Sequence, residues 1–184
     1  MKFISVVYVL ILFQVAHSQD DDVFKSQLQK IIVSARNDFK EFCGTYEKSK
    51  RGYFCHSTIT LSGTTDNVIG QEYSDSAEVY PVLYWAKIDS CDKRKANNLI
   101  RAWAKRIKKI SEEKFDKKKS KVKFPIGSTM SGKAISLTSI NCTIEIFYIG
   151  QDKSYFFTDE LNQNRGNSIA FHRVYLIISK RISN

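Results

Sequence analysis

Residues 133–150 read KAISLTSINCTIEIFYIG. Apolar and polar side chains alternate along this stretch, a period of two that suits a strand and not a helix. Ile140, Cys142, Ile144, Ile146 and Tyr148 then share one face of the expected strand. A sheet with one apolar face needs a second layer to cover it, so the rest of the chain must supply that layer.

Further strand-like runs are GYFCHSTITL at 52–61, EVYPVLYWAKID at 78–89, KVKFPI at 121–126, SYFFT at 154–158 and SIAFHRVYLIIS at 168–179. SGTTDN, QDK and NRGN separate them as turns, and the close spacing implies antiparallel hairpins. Pro81 lies inside its run and cannot donate to a ladder, which predicts an edge strand there.

Two segments carry the helical period instead. Asp20, Asp21 and Asp22 sit where a helix dipole favours acids. Phe24, Leu28, Ile31, Ile32, Ala35, Phe39 and Phe42 then recur every three or four residues, and Gly44 is the expected stop. The second helix is expected from about Asp92 to Asp116. The predicted fold is α+β, one domain, with two helices packed on an antiparallel sheet of five or six strands.

The chain begins MKFISVVYVLILFQVAHSQ. Lys2, the apolar run Ser5 to Ala16 and the small residues Ala16 and Ser18 fit a secretory signal peptide covering 1–18. The run is shorter than the roughly 20 residues a membrane span needs. Residues 19–184 then form a single secreted, extracellular domain. Cys43, Cys55, Cys91 and Cys142 all fall within it, and an even count in a secreted chain predicts disulfides. Pairing Cys43 with Cys55 closes a short loop, which leaves Cys91 for Cys142. Asn141-Cys142-Thr143 is an N-glycosylation sequon. No zinc-ligand spacing occurs, and no metal or cofactor is expected.

Charge is the most uneven property of the chain. Between Lys87 and Lys123 there are 15 Lys and Arg against 5 Asp and Glu, and the whole chain has a formal net charge of +10. The excess is therefore confined to one fifth of the sequence. On a helical wheel centred on Trp103, the residues Leu99, Ile100, Ile107 and Ile110 gather on one side. Arg94, Arg101, Lys105 and Lys108 gather opposite. Arg106, Lys109, Lys117, Lys118, Lys119, Lys121 and Lys123 extend the basic character. A solvated face normally mixes both signs, and like charges along a helix destabilise it. The expected function is binding of an extracellular polyanion, such as a glycosaminoglycan, or of an acidic protein surface. Nucleic acid is a weaker fit to a secreted protein.

Two other classes are compatible with these residues. His56 and His172 permit a metal-independent ribonuclease-like reaction if both reach one phosphate. A carrier of small apolar ligands needs a pocket between helix and sheet. GSTMSGKA at 127–134 resembles a phosphate-binding loop in Gly127, Gly132 and Lys133, but Ala134 replaces the required hydroxyl. A strand-like sequence follows where that motif needs a helix, so a hairpin turn is expected. There is no GxSxG, and Glu145 has no obvious second carboxylate, so serine hydrolase and glycosidase chemistry lack their parts.

Overall fold

The computed structural model describes residues 20–48, 52–72, 81–123, 129–149 and 172–181, with the side chains of 72 and 120–133 left outside the description. Helix α1 covers residues 20–34. Strands β1 (Glu47–Lys48), β2 (Gly52–His56), β3 (Thr65–Glu72) and β4 (Leu83–Cys91) follow, then helix α2 (Lys93–Ile110). Strands β5 (Asp116–Lys123), β6 (Thr129–Thr138), β7 (Cys142–Ile149) and β8 (His172–Lys180) complete the order. All eight form one sheet in the order β1-β2-β3-β4-β8-β7-β6-β5, and every neighbouring pair is antiparallel. The α+β class and the two helices on an antiparallel sheet are as expected. The strand count exceeds the five or six expected from the sequence.

The extra strands lie where local propensity is weak and pairing decides. Residues 65–67, expected in a turn, begin β3. The lysine-rich segment 116–123, expected as helix at Asp116 and as strand only from 121, pairs with β6 from Asp116↔Thr138 to Lys123↔Thr129. Helix α2 stops at Ile110 because its apolar stripe runs out: the next positions on that face are Ser111 and Lys114. Asp92 caps its start, accepting from the backbone N–H groups of Arg94 and Lys95 at 2.8 and 3.0 Å. This satisfies two of the donors that a helix N-terminus leaves unpaired.

Helix α1 also ends early, well before Gly44. Short 3-10 turns cover Ala35–Asn37 and Lys40–Phe42, and Asp38 and Phe39 between them have φ of 55° and 56°. The turn swings the chain back toward β2, where the Phe42 carbonyl accepts from Thr58 N–H at 2.9 Å and Cys43 bridges Ser57. Phe39 still reaches the core, with its ring 6.1 Å from that of Tyr84. The sequence spacing therefore identified the buried residues correctly and the backbone path between them incorrectly.

Pro81 precedes β4 rather than lying inside it. β4 is an interior strand between β3 and β8, not an edge. Ile140 sits at the β6–β7 turn and is 82% exposed, so it does not share the face of Cys142, Ile144, Ile146 and Tyr148. Thr129 to Ala134 lie within β6, so the glycine-rich segment is followed by no helix N-terminus and its last six residues are strand rather than turn.

Both faces of the central strands are buried. One face carries Tyr84, Ile135, Leu137, Ile144, Ile146, Leu176 and Ile178, packed with α1 and α2 residues in one cluster. The other carries Val68, Trp85, Ala134, Phe147, Ile149, Tyr175 and Ile177, and no residue of either helix joins it. This explains why VYLIIS in β8 reads as a continuous apolar run: a strand buried on both sides has no polar face to alternate with.

Cys43 and Cys55 are linked, with a sequence separation of 12. Cys91 and Cys142 are buried free thiols, which corrects the expected second bridge. The reason is register. Cys91 lies opposite His172 and Cys142 opposite Lys180, the two ends of β8. About 26 Å of extended strand separates those levels, whereas a disulfide needs Cα atoms within about 7 Å. Burial raises the pKa of both thiols, that of Cys142 to about 11, so neither is an activated thiolate.

Alkylation of the denatured but unreduced protein should modify Cys91 and Cys142 and leave Cys43 and Cys55 linked. A recovered Cys91–Cys142 peptide would contradict this topology. Removing the Cys43–Cys55 link should lower stability by about 2–4 kcal/mol in chemical denaturation.

Candidate functional site

Helix α2 crosses β6, β7 and β8 and reaches β4. Ala96, Ile100, Trp103, Ala104 and Ile107 are buried beneath it, with Leu99 and Ile110 partly buried beside them. Each large apolar side chain so buried contributes roughly 1.5–3 kcal/mol. Trp103 meets Phe24 of α1 edge-to-face at 5.6 Å between centroids. Gly63 packs against the same indole. A Cβ there would lie 3.4 Å from the indole, and φ is +82°, so the turn needs glycine.

The turn is held from below. Asn67 is buried, and its side-chain oxygen accepts from Thr64 Oγ1 at 2.9 Å, from Tyr84 OH at 2.5 Å and from Leu61 N–H at 3.4 Å. Burial pushes the Tyr84 phenol well above its ordinary pKa, so it stays a neutral donor. The sequence reading treated this segment only as a turn. Nothing in its composition points to Asn67 as the hub.

Among the described residues, Arg106 is the predicted binding residue that the fold uses for itself. Its guanidinium donates to Asp20 at 2.9 Å and to Asp21 at 3.1 Å, and it lies 4.1 Å above the Phe24 ring. It therefore clamps the start of α1 to α2. Three lysines in the described region are also matched: Lys25 with Glu112, Lys87 with Asp66 and Lys95 with Asp89. The hydrogen bond from Lys95 holds the Asp89 carboxyl below the usual carboxylate range.

The outer face of α2 differs. Arg94, Arg101, Lys105, Lys108 and Lys109 are exposed, and among the described residues none of them has a carboxylate partner. From Arg94 to Lys108 this row runs along about 21 Å of helix.

The lysines after the helix extend the charge onto β5. Lys117 and Lys119 lie opposite Leu137 and Ile135, whose side chains face the helices. Directly paired residues share a face, so these two lysines project on the α2 side of the sheet. Lys118 projects on the other side, and Lys121 pairs with Lys133. Lys117, Lys118 and Lys119 are all exposed. Because β5 is an edge strand, its lysines also oppose edge-to-edge association with another chain.

The remaining candidates do not assemble. His56 is level with Val68, Trp85 and Ile177 across the sheet, on the face away from the helices. His172 lies opposite Cys91 on the helix-covered face, with its ring 5.1 Å from Tyr148. They are separated by three strand spacings and five residues of strand, together about 20 Å, and by the sheet itself. They do not share one phosphate, so the ribonuclease-like arrangement is absent.

Asn141 lies at the β6–β7 turn, where its amide donates to Glu113 and its carbonyl accepts from Arg36. No group of three or more His, Cys, Asp or Glu side chains among the described residues is placed to hold a metal. Among the same residues no helix is long and apolar enough to cross a membrane.

The chain has no significant match to a protein-family model, a curated protein or a solved structure.

Arg106→Ala should lower stability by about 1–2 kcal/mol, since it removes partly buried ion pairs and a cation–π contact. Arg101→Ala should change it by no more than about 0.5 kcal/mol. Urea denaturation of the two variants checks this, and equal effects would mean that Arg106 is not a clamp.

Proposed function

We propose that this is a secreted binding protein whose α2 outer face, continued by Lys117 and Lys119 on β5, holds an extracellular polyanion of the sulfated-glycan type. One observation carries the reading. The chain matches Lys25, Lys87, Lys95 and Arg106 with its own carboxylates, yet leaves Arg94, Arg101, Lys105, Lys108 and Lys109 without one among the described residues. Like charges at i,i+4 on one helix, such as Arg101 and Lys105, repel, and a bound polyanion relieves that repulsion.

Two features favour a sulfated chain over other anions. Among the described residues no large hydrophobic on α2 or β5 is exposed, so they offer no stacking platform for single-stranded nucleic acid. Insertion of α2 into a lipid surface is also disfavoured. Its apolar stripe is already occupied by the sheet, and an interfacial helix needs that stripe free. An acidic protein surface meets the same electrostatic demand and is separated from a glycan by competition with free heparin.

The test is elution of the oxidised protein from immobilised heparin. The variant R101E/K105E/K108E is compared with K30E/K40E/K48E, which changes net charge equally at exposed positions away from α2. With about 1 kcal/mol for each cation at an anionic surface, the first variant should bind at least about a hundredfold more weakly. The second should elute close to the parent. Equal losses in the two variants would reduce the interaction to net charge alone and sink the proposal.

A further inference from the structure

The cations on the outer face of α2 are not evenly spaced. Arg101, Lys105 and Lys108 share about 10.5 Å of helix axis, and Arg94 stands about another 10.5 Å toward the N-terminus. At about 100° per residue all four lie within an arc of about 60°. Arg94, Arg101 and Lys108 are seven residues apart, and each is turned only about 20° from the last. A straight rod laid along the helix can therefore touch all four, whereas one laid across it misses either Arg94 or the other three. All four are exposed, and α2 has no Asp or Glu among its 18 residues.

The carboxylates nearest Arg94 in sequence are already engaged. Asp92 accepts from the backbone N–H groups of Arg94 and Lys95, and Asp89 holds the Lys95 ammonium at 2.8 Å. Asn98 is exposed beside the row, between the levels of Arg94 and Arg101, and its amide offers a sugar hydroxyl both a donor and an acceptor. At physiological ionic strength charges are screened over about 8 Å. A small anion seated among Arg101, Lys105 and Lys108 therefore gains little from Arg94. Only a ligand that extends across the gap reaches it.

We propose that Arg94 makes the α2 surface a reader of ligand length. The polyanion lies lengthwise on the helix, and the shortest ligand that engages the whole row is a sulfated oligosaccharide about 21 Å long. A pyranose unit advances its chain by roughly three C–C bonds, about 4.5 Å, so that ligand has about five or six sugars. Compact anions, however highly charged, reach only the three C-terminal cations. Such length discrimination presupposes that α2 binds a polyanion, as proposed above, and gives that ligand an orientation, a minimum size and a residue that sets it.

Titration calorimetry of the oxidised protein with a heparin-derived disaccharide, a heparin-derived hexasaccharide and the compact polyanion inositol hexakisphosphate tests it. The hexasaccharide should bind at least about tenfold more tightly than either of the others. Arg94→Ala, whose backbone N–H keeps the Asp92 cap, should weaken the hexasaccharide about fivefold and leave inositol hexakisphosphate within about twofold of the parent. Lys30→Ala, which removes one exposed charge from α1, should leave both ligands close to the parent. The idea is overturned if Arg94→Ala binds the hexasaccharide as the parent does, or if the disaccharide or inositol hexakisphosphate matches the hexasaccharide. Failure of every fragment and of full-length heparin to bind would instead remove the polyanion reading, and length discrimination with it.

Discussion

The structure depends on where helix α2 spends its apolar stripe. Ile100, Trp103 and Ile107 are buried against β6, β7 and β8 on one side and against Phe24 of α1 on the other. A helix has one such stripe. Once the sheet occupies it, the opposite side must face water, and in this chain that side is cationic. Core packing and surface charge are therefore two consequences of one helical period. The same commitment argues against α2 leaving the core to enter a lipid surface.

Electrostatics then distinguishes cations that hold the fold from cations that do not. Arg106 sits at the margin of the buried stripe, where Asp20, Asp21 and Phe24 reach it, and it joins the two helices. Arg101 and Lys105 are neighbours of Arg106 in sequence, yet rotation about the helix axis carries them away from every carboxylate in the described region. Sequence proximity alone would have grouped all three. The distinction is a matter of angle, and it separates a structural arginine from candidate binding residues.

Much of this was legible in the sequence, and the failures have identifiable causes. The stripes of α1 and α2 named most of the buried residues, with Phe42, Leu99 and Ile110 only partly buried, because period and apolarity report burial directly. Phe39 shows the limit: it is buried as its spacing implies, but through a left-handed turn that no period reveals. Only the end of β5, residues 121–123, was legible as strand; Lys117, Lys118 and Lys119 favour neither strand nor burial, and pairing with β6 makes them strand. The Cys91–Cys142 bridge failed because pairing by elimination ignores register, which places these thiols at opposite ends of β8.

Sheet topology thus gives the molecule two unlike faces, one covered by the helices with their cationic outer side and one carrying a second buried apolar cluster. The account stands on the first being defined by unpaired cations clustered along one helix face rather than by net charge. Lysine footprinting by reductive methylation, with and without saturating heparin, tests this residue by residue. The account predicts protection of Lys105, Lys108, Lys117 and Lys119, with Lys30, Lys40 and Lys48 modified equally in both conditions. Protection spread evenly over all exposed lysines, or centred on Lys30, Lys40 and Lys48, would contradict it and leave α2 a solvated helix.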